Sequence, residues 1–472
     1  MKVIIDFLIV SNIFFFFYLV TYASYLMISN VYGSIKMYGY RKLERLHNEL
    51  NHSFYFPISI IVPAYNENVT AVQTVDNLLK LDYKTFEIVV VDDGSTDNTK
   101  QLLIDEYGLE LAPHTLIRYQ VPCKPIQEVY KGKCRNIPIV LISKENGRCK
   151  ADANNAAINV VSYPYFVCMD ADEVLQRDAL TYASRAMLES DNVIGVGGNI
   201  KISNNVRFKD AMPTSAALPK NISVGMQVLE YSRAFVGSRI FQDLTNSNLI
   251  ISGGYGLFKK SAVVAVGGYD QKSLGEDMEL TVKLHEYYRR NKLPYAMKYV
   301  PDSVCWTQVP ASLGDLRRQR ERWHCGLMQT FAKYRKMILN PRYGVIGMLT
   351  MPFMMVYELF CSFFMLLGLF VIIASTYLHV IGTPYVLFVF LIYVLLGTMM
   401  TITTFIDKLY MKNDYFSTGD VVKGLGISIL DAFFFRPYLF TIEFFAFFRY
   451  KKITKSWVSP KRVQVNTESM SL

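Results

Sequence analysis

Residues 3–33 form a long apolar stretch in which Phe14, Phe15, Phe16 and Phe17 follow one another. This stretch constrains the chain most, because about 20 apolar residues are enough to span the hydrocarbon of a bilayer. It lacks a small-residue cleavage site, so residues 1–33 read as a retained transmembrane anchor and not as a removed signal peptide. Lys36, Arg41, Lys42 and Arg45 follow it, against Lys2 alone before it. That asymmetry predicts residue 34 onward in the cytoplasm. Three more apolar segments lie near 344–373, 376–406 and 425–448, so residues 344–450 read as C-terminal membrane segments. Asp431, Arg436, Pro437 and Glu443 interrupt the last of them, and the tail at 451–472 is basic. A third plain span would put that tail outside, so the pattern predicts a re-entrant or interfacial element there. Glu358 stands inside the first of the three, where it either faces a polar passage or pairs with another buried polar group.

The apolar excess is confined to the ends. The chain of 472 residues is 51% hydrophobic and 14% aromatic, yet its middle reads as an ordinary globular sequence. A net charge of +10 without any nucleic-acid-binding signature points to membrane lipid headgroups and to phosphates. The seven cysteines contain no C-x-x-C pair, and they read as reduced thiols.

Residues 50–310 have the pattern of an α/β domain. The runs Ile58–Val62 and Phe86–Val91 are short and β-branched, as buried parallel strands are, and Val69–Leu81 between them has helical periodicity. Residues 137–142 and 165–169 are further strands, with a helix over Lys150–Val161. Open α/β sheets bind ligands beyond the carboxyl ends of their strands, and acidic residues fall at those ends.

Four motifs carry the chemistry. The strand at 86–91 runs into Asp92-Asp93-Gly94-Ser95, whose carboxylates can accept hydrogen bonds from a base or ribose, or simply cap the next helix. The strand at 165–169 runs into Asp170-Ala171-Asp172, and alternate residues of an extended segment share one face. Such a pair suits a hard cation, Mg²⁺ or Mn²⁺, that bridges to phosphates. Glu276-Asp277 opens an amphipathic helix, where Asp277 serves either as N-cap or as general base. In Gln319-Arg320-Glu321-Arg322-Trp323 the guanidiniums can bind phosphate and the indole can carry a sugar ring, or the run is a basic face at the membrane. Leu313, Leu316, Trp323, Leu327 and Phe331 recur at helical spacing, which predicts an amphipathic interface helix within 311–343 with its apolar face on the membrane.

In this order the four motifs resemble D-D-G, D-x-D, E-D and Q-(Q/R)-x-R-W of the family 2 membrane glycosyltransferases, the cellulose, chitin, hyaluronan and poly-N-acetylglucosamine synthases among them. Val62–Glu67, Asn146–Asn155 and Ser252–Gly256 resemble further segments of that family, so the likeness covers about residues 57–330. The chain departs from the family at Gly275, where Thr is usual, and at Arg148-Cys149, where Gly-Gly is usual before Lys150. Residues 101–147 and 199–249 are longer than a minimal member needs.

The resemblance implies a GT-A fold, an α/β nucleotide-sugar-binding domain, and an inverting transfer from a UDP-sugar to a growing polysaccharide. It also implies roles for individual residues. Asp93, with Asp92 beside it, contacts the uridine. Asp170 and Asp172 hold the diphosphate through Mg²⁺ or Mn²⁺, and Lys150 adds positive charge nearby. Asp277 deprotonates the acceptor hydroxyl. Gln319, Arg320, Arg322 and Trp323 line the acceptor exit and steady the diphosphate. Transfer of one sugar to a lipid carrier is the alternative within this class. A nucleotidyltransferase or a noncatalytic polysaccharide-export subunit explains fewer of the motifs. The few spans leave a narrow frame for a polymer, which a partner subunit or self-association would widen.

Overall fold

The computed structural model describes residues 2–47, 55–392, 394 and 417–454. At its centre is a ten-stranded mixed sheet. Its strands are β1 (Ile58–Ala64), β2 (Phe86–Asp92), β3 (Glu110–Leu111), β4 (Ile126–Cys134), β5 (Ile137–Lys144), β6 (Tyr165–Cys168), β7 (Val174–Leu175), β8 (Val193–Ile202), β11 (Gly256–Lys259) and β12 (Ala296–Thr307), with β9 (Val206–Lys209) and β10 (Met212–Ala216) forming a separate hairpin. The order across the sheet is β3-β4-β5-β2-β1-β6-β11-β8-β12-β7. Strands β5, β2, β1 and β6 run parallel, and β11 lies antiparallel between β6 and β8. Ile58, Ile60, Ile61, Ile88 and Leu141 are wholly buried, which is why their β-branched runs read as strands with no polar alternation. The parallel core brings Asp92 to the end of β2 and Asp170 just past the end of β6, on one edge. This is the GT-A-type layout that the motifs imply.

Helix α1 (Lys2–His47) extends beyond the expected limit at residue 33, because the helical backbone continues into the basic segment. Its part Lys2–Lys36 is long and apolar enough to cross a membrane. A second helix that is long and apolar enough, Gly419–Ile453, covers the 425–448 segment expected to form a re-entrant or interfacial element. The interrupting charges are accommodated within it. Asp431 opens a one-turn π-helix and pairs with Arg233 (3.2 Å) and Arg436 (3.3 Å), and Pro437, which has no N–H to give the helix, lies just past that widened turn. The sharp bend lies elsewhere, at 55° between Ile346–Leu359 and Cys361–Tyr377. Of the segment expected at 376–406, a helix over Thr383–Ile392 is seen, while residue 393 and residues 395–406 lie outside the described residues, as does the tail beyond 454.

The interface helix spans Leu313–Lys333, capped by the Ser312 hydroxyl, which accepts from Asp315 N–H (3.1 Å). Part of its apolar face meets protein, while Leu313 and Trp323 stay exposed. Leu316 packs with Leu439 and Ile442 of the last helix, and Phe331 packs with Met351, Met354 and Leu359. Arg449 reaches back to Glu321 at 2.7 Å.

Candidate active site

The sheet edge opens into one continuous cavity of about 2120 Å³. At its sheet end, Gly94 makes the tight turn after β2 with φ 68°, and a Cβ there would lie 2.9 Å from the Asn146 backbone nitrogen. Asp93 faces the cavity, whereas Asp92 does not line it and accepts from Ser95 N–H (3.1 Å) in the turn. Asp93 is held from behind by Lys144, a wholly buried lysine that also pairs with Asp152 (2.5 Å), and by Gly147 N–H (3.0 Å). Burial alone would push the Lys144 ammonium down, but Asp152 and Asp93 outweigh it and hold it protonated. The sequence reading missed Lys144, since one lysine at the end of an apolar strand gives no signal until the fold brings two carboxylates to it. Arg148, in place of the usual glycine, takes the left-handed conformation with φ 58°.

The second carboxylate pair lies on the neighbouring strand end. Asp170 and Asp172 both line the cavity. Lys150, at the start of the helix Lys150–Val160, contacts Asp170 (2.5 Å) and donates to the Gly253 carbonyl (2.7 Å). Burial disfavours its charge, but Asp170, Glu276 and Glu173 together raise its pKa. Glu173, also absent from the sequence reading, is buried behind the pair. Desolvation, then the charges of Asp170 and Asp172, push its carboxyl up to about 8. Gly253 N–H in turn donates to Asp277 Oδ2 (2.9 Å), so Lys150 and Gly253 connect the D-x-D pair to Asp277. Burial and the adjacent Asp277 raise the Glu276 carboxyl. Among the described residues no three His, Cys, Asp or Glu side chains gather into a protein-only metal cage. Two carboxylates on one edge, with room beside them for phosphate oxygens, are the oxygen-rich partial shell that Mg²⁺ and Mn²⁺ accept.

The third wall is the interface helix. Gln319, Arg320, Arg322 and Trp323 all line the cavity. Gln319 Oε1 is buried and has no hydrogen-bond partner among the described residues. Arg320 is engaged from another side, forming two bonds to Glu230 (2.7 and 2.6 Å) with its guanidinium 4.7 Å from the Trp323 ring. Its fork is therefore taken by a carboxylate and serves to brace Trp323. Past Trp323 the same cavity is lined by Tyr18, Tyr22, Tyr357, Glu358 and Glu443 from the apolar helices.

Residues 165–405 match the family described as glycosyl transferase family group 2, and residues 59–110 match glycosyl transferase family 2. The chain is 31% identical over 315 residues to the poly-beta-1,6-N-acetyl-D-glucosamine synthase of Staphylococcus aureus strain COL, and 30% identical to that of Staphylococcus epidermidis. Each match covers 66% of this chain and spans 65% of the relative's length. Among solved structures, a mannosyltransferase from Pyrobaculum calidifontis in complex with GDP-Man and Mn²⁺ aligns with 87% of this chain and 99% of its own, at 18% identity and a TM-score of 0.47. Residues 1–349 of Staphylococcus aureus TarS in complex with UDP align with 58% of this chain and 65% of that one, at 16% identity and a TM-score of 0.34.

Proposed function

The chain belongs to glycosyl transferase family 2, and from that premise we propose that it transfers a sugar, with inversion, from a UDP-sugar to a growing polysaccharide at the cytoplasmic face of a membrane. The continuity of the cavity carries this reading. One opening holds Asp93, Asp170, Asp172 and Asp277 at the sheet edge, and it runs past Trp323 to Tyr18, Tyr357, Glu358 and Glu443 among the apolar helices. A product lengthened at Asp277 thus has a path lined by rings and carboxylates.

In this mechanism the 50–310 domain binds the donor and the membrane segments receive the product. Asp93, fixed by Lys144, accepts from the base, and Asp92 contributes through the turn that places Asp93. Asp170 and Asp172 would hold Mg²⁺ or Mn²⁺, which would supply Lewis-acid neutralisation of charge on the diphosphate. Lys150 supplies a protein cation beside the same phosphates. Asp277 Oδ2 is oriented by Gly253 N–H, and the carboxylate takes the proton of the acceptor hydroxyl as its oxygen attacks the anomeric carbon. One carboxylate is enough, because a single displacement inverts the centre. Gln319 offers its unpartnered oxygen to a sugar hydroxyl, Arg322 faces the diphosphate, and Trp323 presents a ring to the terminal sugar.

The product named for the staphylococcal relatives is a polymer of N-acetylglucosamine, so UDP-N-acetylglucosamine is the first donor to test. Purified protein in lipid vesicles with Mg²⁺ or Mn²⁺ should convert it into polymer that is resolved by size. A product of one sugar on a lipid would replace the polymer reading, and no transfer from any UDP-sugar would end both.

A further inference from the structure

Asp277 works only if its carboxylate stands still, and its supports lie on the interface helix downstream of the Gln319–Trp323 run. Residues 326, 329, 333 and 334 recur at helical spacing on one side of that helix and its C-terminus. Each touches the segment from Asp270 to Glu279. Gly326 lies against Gly275, and a Cβ on it would come within 2.7 Å of the Gly275 nitrogen and 2.9 Å of its Cα. Gln329 Oε1 accepts from Leu274 N–H at 2.8 Å. Lys333 bridges Asp270 (2.6 Å) and Glu279 (2.5 Å), and the Tyr334 hydroxyl donates to the same Glu279 oxygen (2.7 Å). Glu279 is buried one turn from the start of the helix Glu276–Arg290 that Asp277 opens.

We infer that Gly326, Gln329 and Lys333 are positioning residues for transfer, setting the placement of Asp277 from a helix that also carries Trp323. This rests on Asp277 being the base. The contact is backbone to backbone at Gly275 and Gly326, and it is Gly326 that must be glycine, since a Cβ on Gly275 would meet the Gly326 Cα only at 3.4 Å. Displacing a catalytic group by about 1 Å can cost on the order of 10²-fold in rate. Tying base and acceptor platform to one helix keeps their separation constant.

The test uses the full chain in vesicles, with the concentration of competent sites fixed by UDP-binding stoichiometry. Gly326→Ala should lower turnover per site at least tenfold with the donor KM within about twofold, since the nucleotide end is untouched. Gln329→Met, similar in shape but without the acceptor oxygen, should lower it about threefold to tenfold, and Gln329→Glu, which keeps an acceptor, should restore it. A role in folding alone would instead reduce the number of UDP-binding sites and leave turnover per site intact. If Gly326→Ala fails to fold, the Gln329 pair still decides. Asp277→Asn serves as the companion. If it abolishes transfer while Gln329→Met matches wild type per site, the positioning inference is overturned and the base stands. Near-normal turnover in Asp277→Asn overturns the base itself.

Discussion

Acid should weaken the catalytic domain through His285, and the size of the effect follows from its surroundings. His285 is wholly buried on the helix that Asp277 opens. Its Nε2 lies 2.9 Å from the Asn248 carbonyl and its Nδ1 2.6 Å from the Tyr295 hydroxyl. The neutral ring satisfies both by donating to the carbonyl and accepting from the hydroxyl, a tautomer assigned from the network. A second proton would face a hydroxyl that already accepts from Arg289 Nε at 3.1 Å. Burial therefore lowers the pKa from 6.5 to about 3, with Arg289 adding to the shift. The folded value lies below the unfolded one, so the unfolded chain gains a proton that the folded chain refuses. The stability is fully present above about pH 6.5 and drains away as pH falls toward the folded value. Between about pH 7.5 and 5.0 the interval below 6.5 is about 1.5 units, equal to about 2 kcal/mol at ~1.4 per unit. For a domain of this size that is roughly 4–8 °C of melting temperature. The assay is thermal unfolding at a fixed scan rate in detergent, with His285→Gln as reference because it keeps an amide donor but does not titrate. The variant should start lower near neutrality and lose roughly 4–8 °C less than wild type on acidification. Equal losses in the two proteins would refute a buried neutral imidazole.

Three further outcomes are expected. Asp172→Ala should weaken metal-dependent binding of UDP-sugar, measured by titration with and without a chelator, and activity surviving both would remove the metal role. Trp323→Ala should shorten the product while the first transfer and donor hydrolysis persist, an effect of about tenfold on acceptor dissociation for ~1.4 kcal/mol of lost ring contact. An unchanged length distribution at matched activity would dismiss the platform. Lys144→Met leaves Asp93 and Asp152 buried without their counter-charge and should cost about 3–5 kcal/mol, read as lost thermal stability together with lost UDP binding.

The strands legible in the sequence were those whose burial shows as continuous β-branched runs, β1, β2, β5 and β6. The other half of the sheet was hidden for a packing reason. Strand β8 contains Gly195, Gly197 and Gly198, letters that argue against a strand, but they are small because Ile251, Phe258 and Tyr255 lie over them. The motif residues were visible as types and spacings, and the fold brings Asp93, Asp170, Asp172, Asp277 and Trp323 to one cavity. Their partners were not visible. Glu230 precedes Arg320 by 90 positions and Lys144 follows Asp93 by 51, and no local pattern announces a pairing at such separation. The interface helix shows the same limit, since its apolar face was plain but the surface it covers depended on where the last helix packs.

The site draws its walls from both ends of the chain. Tyr18 and Tyr22 come from the first helix, and Asp431, Arg436 and Glu443 from the last. During synthesis the first helix must wait for some 400 residues before the last is made, roughly 20–80 s at 5–20 residues per second. For much of that interval Arg233, a buried guanidinium in the finished fold, has no Asp431 to meet it. The strands that carry the acidic motifs are thus made well before the last helix that closes the cavity. A chain cut short ahead of Gly419 would keep every acidic motif and still lack one side of the cavity.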